Sequence, residues 1–236
     1  MPETYVTPEQ VDAMLRTVNN QRDFLLIDLL FRLGCRISEL LPLTVSQIDF
    51  KNDFVTLQLL KQRLRLACPH CDSRLSRSSK FCQACGRAVQ DAVQKALEVK
   101  TMRRLPLDRE TMGWLKKFID AGGPGKDGRL FPIAYRTAYY HVTKAARKAR
   151  LPWLVDPRTG RLRNISPHRL RDAFATMALQ SDDSVDSVRM LQERLGHKDY
   201  TTTLKYFKVS GKEQKDWYNK LFKKQKPEKE EGDGQA

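Results

Sequence analysis

His168-Arg169-Leu170-Arg171 sets an imidazole and a guanidinium three residues apart, and on a helix residues at that separation share a face. Leu195-Gly196-His197 follows, and Tyr206 comes nine residues after that second histidine. Together these side chains supply cations, a proton carrier and a phenol nucleophile, with no carboxylate or thiol in the set. That chemistry suits displacement at a phosphodiester. Charge grows there on the non-bridging oxygens and must be neutralised while a hydroxyl attacks phosphorus.

The order and spacing resemble the C-terminal half of the catalytic domain of tyrosine recombinases, the phage integrase family. That family runs His-x-x-Arg, then Leu-Gly-His, then the nucleophilic tyrosine nine residues on. Upstream, Gly34-Cys35-Arg36-Ile37-Ser38-Glu39-Leu40 follows an apolar stretch and is similar to the first arginine box of the same family. The resemblance implies that Arg36 and Arg171 present guanidinium forks to the scissile phosphate, with His197 as a third stabiliser of the pentacoordinate charge. His168 positions or deprotonates the phenol, and Tyr206 attacks to give a 3′-phosphotyrosyl bond. Glu39 is read as structural, orienting a neighbour or satisfying helix donors. Asp172 stands where the family often carries another histidine.

The family also places a catalytic lysine on a hairpin of a small antiparallel sheet, where it protonates the leaving 5′-oxygen. Lys100 is the best match, with Lys95 and Lys61 as alternatives and a solvated strand-end lysine as the competing reading. Because the protein–DNA ester retains the bond energy, neither ATP nor a catalytic metal is called for. The implied activity is that of a site-specific DNA recombinase or integrase, acting as four protomers on double-stranded DNA. Two other readings remain: a type IB-like topoisomerase or hairpin-end resolvase, and a non-catalytic DNA-binding zinc adaptor.

Between the two hairpin strands lies a different kind of signal. Cys68-Pro69-His70-Cys71 and Cys82-Gln83-Ala84-Cys85 form two Cys-x2-Cys pairs separated by ten residues. Paired knuckles of this kind in a reducing compartment read as a tetrahedral zinc site rather than as disulfides. Gly86 suits the turn after the second pair, His70 is a spare ligand, and Cys35 is left as a packed thiol. A structural zinc supplies the folding energy that a short polar insert cannot draw from a core. Arg74, Arg77, Lys80 and Arg87 around it fit either phosphate contacts or a protein docking surface, including one for an accessory protein.

Charge supports a nucleic-acid partner. The net charge is +15, and it is concentrated. Residues 61–107 hold eleven Lys/Arg against three Asp/Glu, and residues 136–171 hold ten against one, so the rest of the chain is slightly acidic. Two basic segments on a near-neutral body form an electrostatic footprint rather than interspersed solubilising charge. Arg103, Arg104, Lys144, Arg147, Arg158, Arg161 and Arg163 are the candidate DNA contacts, the last three on backbone phosphates rather than bases. No apolar run approaches a membrane span and no signal-peptide core follows the N-terminus, so a cytoplasmic, nucleoid-associated protein is expected.

The elements needed to position these groups are legible. Thr7-Pro8-Glu9-Gln10 starts a helix with a capping box, and Arg22 to Leu33 is an apolar helix ended by Gly34. Asp53 to Leu60 and Thr101 to Leu107 alternate as paired strands. Helices follow from Asp108, over Tyr135 to Arg150, from Ser166-Pro167, and from Ser184 to Leu195, closed by Gly196. The fold class is α+β and mainly helical, with a small antiparallel sheet and an inserted zinc ribbon. Residues 1–222 are read as the catalytic domain, with 66–88 as the insert and 223–236 as a disordered charged tail. The chain as read leaves no room for the DNA-clamping domain that precedes this one in relatives. A helix over Lys212–Lys224, with Trp217 and Phe222, is expected by resemblance to dock on a neighbouring protomer, or else to pack in cis.

Overall fold

The computed structural model describes residues 3–76, 79–89, 93–156, 159–197, 199–207 and 218–219. For 59–66 and 93–101 it describes only the backbone. Helices α1 (Pro8–Arg16), α2 (Gln21–Arg32) and α3 (Ile37–Leu40) lead into the short strand β1 (Ile48–Asp49). Thr7 caps α1 with the expected reciprocal box: its side chain accepts from the Gln10 amide, and the Gln10 side chain accepts from the Thr7 amide. Helix α2 is buried over most of its surface, as its run of Leu25, Leu26, Ile27, Leu29 and Leu30 requires.

The sheet is longer than the alternation predicts. Strands β2 (Phe54–Ala67) and β4 (Val93–Pro106) pair antiparallel through fourteen consecutive rungs, from Phe54↔Pro106 to Ala67↔Val93. The expected strands, ending near Leu60 and starting near Thr101, are only the base of this ribbon. No glycine breaks either strand. At about 3.4 Å per residue the ribbon extends on the order of 45 Å. β1 pairs with the beginning of β2, and β3 (Arg74–Leu75) with its end, so the cysteine segment sits at the ribbon tip.

After the ribbon come α4 (Arg109–Asp120), α5 (Tyr135–Lys148) and a small hairpin of β5 (Leu154–Val155) with β6 (Leu162–Arg163). Helices α6 (Pro167–Ser181), α7 (Val185–Leu195) and α8 (Tyr200–Leu204) follow, and a single 3-10 turn over Lys205–Phe207 carries Tyr206. One large core joins α1 to α5 with the ribbon base and the start of α6. A second cluster joins α6 and α7 around Ala175, Leu179, Val188, Leu191 and Leu195. Among the described residues no helix is long and apolar enough to cross a membrane. The expected Lys212–Lys224 helix lies outside the described residues apart from helical Tyr218 and Asn219, and the 223–236 tail lies wholly outside them.

Candidate active site

Two helix ends build a socket for Arg171. Helices α2 and α7 both finish on a glycine with left-handed backbone, Gly34 at φ 59° and Gly196 at φ 66°. These turns aim orphan carbonyls inward: Arg171 Nη1 donates to Gly34 O at 2.9 Å, and Nη2 donates to Leu195 O at 2.7 Å. A helix C-terminus carries partial negative charge, so two of them favour a buried cation. Arg171 has no exposed surface, yet its Nε has no partner. Burial and the nearby Arg36 lower its pKa, but not enough to discharge a guanidinium.

Glu39 completes the socket. Its carboxylate, 1% exposed, accepts from the Arg36 amide at 3.1 Å and from Arg36 Nη1 at 2.9 Å. It also accepts from Arg103 Nη2, and it lies 4.0 Å from Arg171 Nη1. Arg36, the arginine of the upstream box, thus sits at the start of α3 beside Arg171, which follows it by 135 positions. One buried carboxylate offsets the mutual repulsion of three guanidinium groups, which the sequence reading anticipated only as a structural role for Glu39.

His197 joins this cluster directly after Gly196. Arg171 Nη2 lies 2.9 Å from His197 Nε2, and arginine has donors only, so Nε2 accepts. The ring proton therefore resides on Nδ1 and donates to Thr203 Oγ1 at 3.0 Å. Burial, reinforced by Arg171 and Lys205, pushes the imidazole down to about 4, so it is neutral at physiological pH. The Tyr206 ring stacks on His197 at 6.1 Å between centroids and 13° between planes, and Lys205 Nζ lies 4.8 Å from the phenol centroid. The Tyr206 hydroxyl donates to Asp172 Oδ1 at 2.9 Å. His168, expected at the phenol, instead lies with Nε2 3.8 Å from that same Asp172 oxygen. Burial and the Asp172 charge raise the Tyr206 pKa above its ordinary value. Arg36, Arg171, His197 and Tyr206 therefore converge. Lys100 is described by its backbone alone, on the rung with Leu60; Lys61 is one rung away and Lys95 five rungs nearer the tip.

At the ribbon tip four thiols gather within 4.8 Å of one another: Cys68, Cys71, Cys82 and Cys85. The two knuckles repeat one geometry. The amide of the fifth residue bonds back to the first cysteine's carbonyl in each, Asp72 to Cys68 at 3.0 Å and Gly86 to Cys82 at 2.8 Å. Both fifth residues have left-handed backbone, Asp72 at φ 60° and Gly86 at φ 71°. The first cysteine amides close the turns on Ser73 O and Arg87 O. Sulfur pairs Cys68–Cys85 and Cys71–Cys82 are 3.7 and 3.6 Å apart. A tetrahedral ion with metal–sulfur bonds of about 2.3 Å spaces its sulfurs about 3.8 Å apart, so four cysteines at this separation can hold a metal. A hydrogen bond from Ser73, 2.9 Å away, and the backbone amide of Cys85 hold Cys82 down to about 6, favouring the thiolate a metal needs.

The phage integrase family model matches residues 4–213. The chain belongs to the phage integrase family. It is 26% identical over 219 residues to a tyrosine recombinase of Pseudothermotoga lettingae, an alignment covering 92% of this chain and 60% of that protein. Among solved structures it resembles the XerA recombinase, with a TM-score of 0.60 at 17% identity, over 94% of this chain and 64% of that one. It also resembles the XerH site-specific recombinase bound to a palindromic difH substrate, with a TM-score of 0.59 at 18% identity, over 93% and 53% of the two chains. The fold of this integrase-family chain is that of the tyrosine recombinase catalytic domain, and the chain spans about three fifths of the P. lettingae relative.

Of the candidate DNA contacts, Arg103 is redirected. Neighbouring strand residues point to opposite faces, and Arg103 faces inward, bonded to Glu39 and to Arg194 O, with only 10% of its side chain exposed. It props the arginine socket instead of reaching a phosphate. Arg104, on the other face, is exposed, stacks on Phe54 and pairs with Asp49 at 2.8 Å. Lys144 and Arg147 are exposed on α5, alongside Tyr139 and Tyr140, which are exposed too and not core. Arg161 is exposed in the β5–β6 hairpin, while Arg163 pairs with Asp156 at 2.6 Å. Arg158 and Arg77 lie outside the described residues. His141 is held structurally, 2.8 Å from Asp23. Asp172, Lys205 and Thr203 are the site neighbours that motif spacing left unassigned. The i, i+4 step from His168 to Asp172 was the available signal for the first.

Proposed function

We propose that this integrase-family chain is a site-specific DNA recombinase that cuts and rejoins double-stranded DNA through a covalent tyrosine ester. The observation that carries this reading is the convergence of the Tyr206 hydroxyl with Arg36, Arg171 and His197, drawn from four separated parts of the sequence, in one basic pocket. Arg36 and the unpartnered Arg171 Nε supply donors for the non-bridging oxygens of a scissile phosphate, and each such contact contributes about 3 kcal/mol to the transition state. His197 enters neutral. The negative charge of a pentacoordinate phosphorus transition state favours its protonation, after which Nε2–H turns from Arg171 to donate to a non-bridging oxygen. Tyr206 attacks in line and holds the 3′-phosphate. Lys100 is the proposed donor to the 5′-oxygen, and His168 supports the phenol through Asp172. One protomer carries one nucleophile, so exchange between two duplexes calls for four.

Lys144, Arg147, Arg161, Arg163 and Arg104 form the proposed phosphate-contacting surface, with the basic charge of 136–171 behind it. The tip cysteines Cys68, Cys71, Cys82 and Cys85 are proposed ligands of a structural zinc, which supplies the fold of the tip and takes no part in strand cleavage. Support for zinc comes from the all-thiolate donor set and the tetrahedral sulfur spacing.

The test is covalent capture. Nicked duplexes from a randomised pool, in which the short cleaved piece diffuses away, should yield a protein–DNA adduct with the wild type. Tyr206→Phe should bind the same selected duplex and give no adduct. An adduct in that variant, or none with the wild type, would refute the reading.

A further inference from the structure

Asp172 occupies the cavity of about 340 Å³ that opens onto Tyr206, beside His168, Arg169 and Lys205. Helix α6 fixes it there: it is the next residue after the socketed Arg171, and Thr176 Oγ1 ties down its backbone carbonyl at 2.9 Å. Each carboxylate oxygen has its own task. Oδ2 accepts from Arg169 Nη1 at 2.8 Å, and Oδ1 accepts the Tyr206 hydroxyl at 2.9 Å. Among the described residues the phenol's second side-chain hydrogen-bond partner is Arg171, which has no lone pair to receive a proton. His168 Nε2 stands 3.8 Å from the same Oδ1, beyond hydrogen-bond distance, whereas the phenol is in contact with it.

Resting on the DNA-cleavage reading above, we propose that Asp172 is the general base of cleavage, taking the Tyr206 proton as the phenol attacks phosphorus. The Tyr206 O–H bond breaks and its proton passes to Asp172 Oδ1. The electron pair released on the phenolic oxygen forms the new O–P bond, the bond from phosphorus to the 5′-oxygen breaks, and that oxygen takes a proton from the general acid, Lys100. In the return step a 5′-hydroxyl attacks phosphorus as its proton passes back to the Lys100 amine, the O–P bond to Tyr206 breaks, and the departing phenolate recovers its proton from Asp172.

The pocket's electrostatics favour this concerted order. Burial and the carboxylate's charge disfavour a free phenolate in the resting pocket, so the proton leaves during attack rather than before it. The group already in contact receives it. The charges facing Asp172 are Arg169 and Arg171 with the His168 ring on α6, and Lys205 on the 3-10 turn. Arg163 and Asp156 of the hairpin line the same cavity. The cationic surplus offsets the repulsion between this carboxylate and an incoming phosphate.

The experiment measures single-turnover adduct formation on a duplex captured by the wild type, across pH, for Asp172→Asn and Asp172→His. Asparagine keeps a hydrogen-bond acceptor but cannot take the proton, so the rate should fall about 10²- to 10⁴-fold with duplex binding unchanged. Histidine can take it, so it should recover much of the loss, with the acid side of its pH–rate profile moved toward the ordinary histidine range near about 6.5. An asparagine variant as fast as the wild type, or faster, overturns the proposal, and a faster one marks the contact as a latch on the nucleophile. Should the asparagine variant fail to fold, the histidine variant decides: recovery without a displaced profile also overturns it. No adduct from the wild type itself would instead defeat the cleavage reading, and this proposal with it.

Discussion

The arginine socket and the cysteine tip confront the same difficulty, groups that repel one another held close together, and they resolve it by opposite means. In the socket, guanidinium groups from three parts of the chain gather around one buried carboxylate and two helix ends, all fixed by a core that runs through six helices. At the tip, thiols cluster on two tight turns around an apolar nucleus of Cys68, Leu75 and Cys82, with Val89 against it. Long-range packing holds the first in its geometry without a ligand. The second has a nucleus of only a few residues, and its repeated turns present four thiols that can hold a metal, the role proposed for zinc. The lesson is that preorganisation can be distributed through a fold or concentrated on a single atom.

Removing the proposed zinc should break the comparison most sharply. Chelation is expected to unfold the tip alone, because metal binding in small thiolate modules is worth on the order of 10 kcal/mol. Hydrogen exchange should then show amides of 68–76 and 79–89 losing protection while those of α2 and α6 keep theirs. Loss of protection in both would mean the two regions are one cooperative unit.

Next in size, Glu39→Ala should cost about 3–5 kcal/mol, since it leaves Arg171 and Arg103 uncompensated inside the protein. Denaturant unfolding measures it. A loss below 1 kcal/mol would show that the helix carbonyls alone suffice for the socket.

Gly34→Ala tests the helix ends separately. A Cβ there would meet Phe174 Cδ1 at 2.6 Å on a backbone at φ 59°, and the combined strain should destabilise by about 1–3 kcal/mol. Gly86→Ala at the tip has open space around it and only the backbone penalty, so its effect should be the smaller of the two.

The gentlest probe is pH. His197 is depressed in the fold, so its neutral form is the one the native state favours. Its contribution to stability is complete above the unfolded value near about 6.5, and is lost as pH falls toward about 4. His197→Gln should flatten the thermal midpoint across that window. An unchanged slope would place the acid sensitivity elsewhere.

Much of the catalytic pocket was legible because its members sit in local patterns: His-x-x-Arg on a helix, a histidine after a helix-ending glycine, a tyrosine at fixed distance. The helix ends were legible for the same reason, as Thr7, Gly34, Ser184 and Gly196 each act within a turn of themselves. Partners brought in from afar were not. Nothing near Arg103 in the sequence reveals that Glu39, 64 positions earlier, will turn it inward. Likewise, Asp172 meets the Tyr206 hydroxyl only after α7 and α8 fold back onto α6. The ribbon outran its prediction because the polar run Lys61-Gln62-Arg63 interrupts the alternation of the first strand, whereas backbone pairing does not depend on it. The two knuckles were readable as ligands, but not that Asp72 would adopt the left-handed turn that Gly86 takes without strain.

The fourteen-rung ribbon has a mechanical consequence. Arg103 and Lys100 belong to one uninterrupted strand, stiffened along its whole length by a partner that runs directly into the first knuckle at Cys68. Whatever grips the far end therefore applies leverage to the rungs carrying Lys100 and Arg103, as a handle turns the shaft fixed to it. A flexible joint spliced midway would let the handle move while the shaft stayed still.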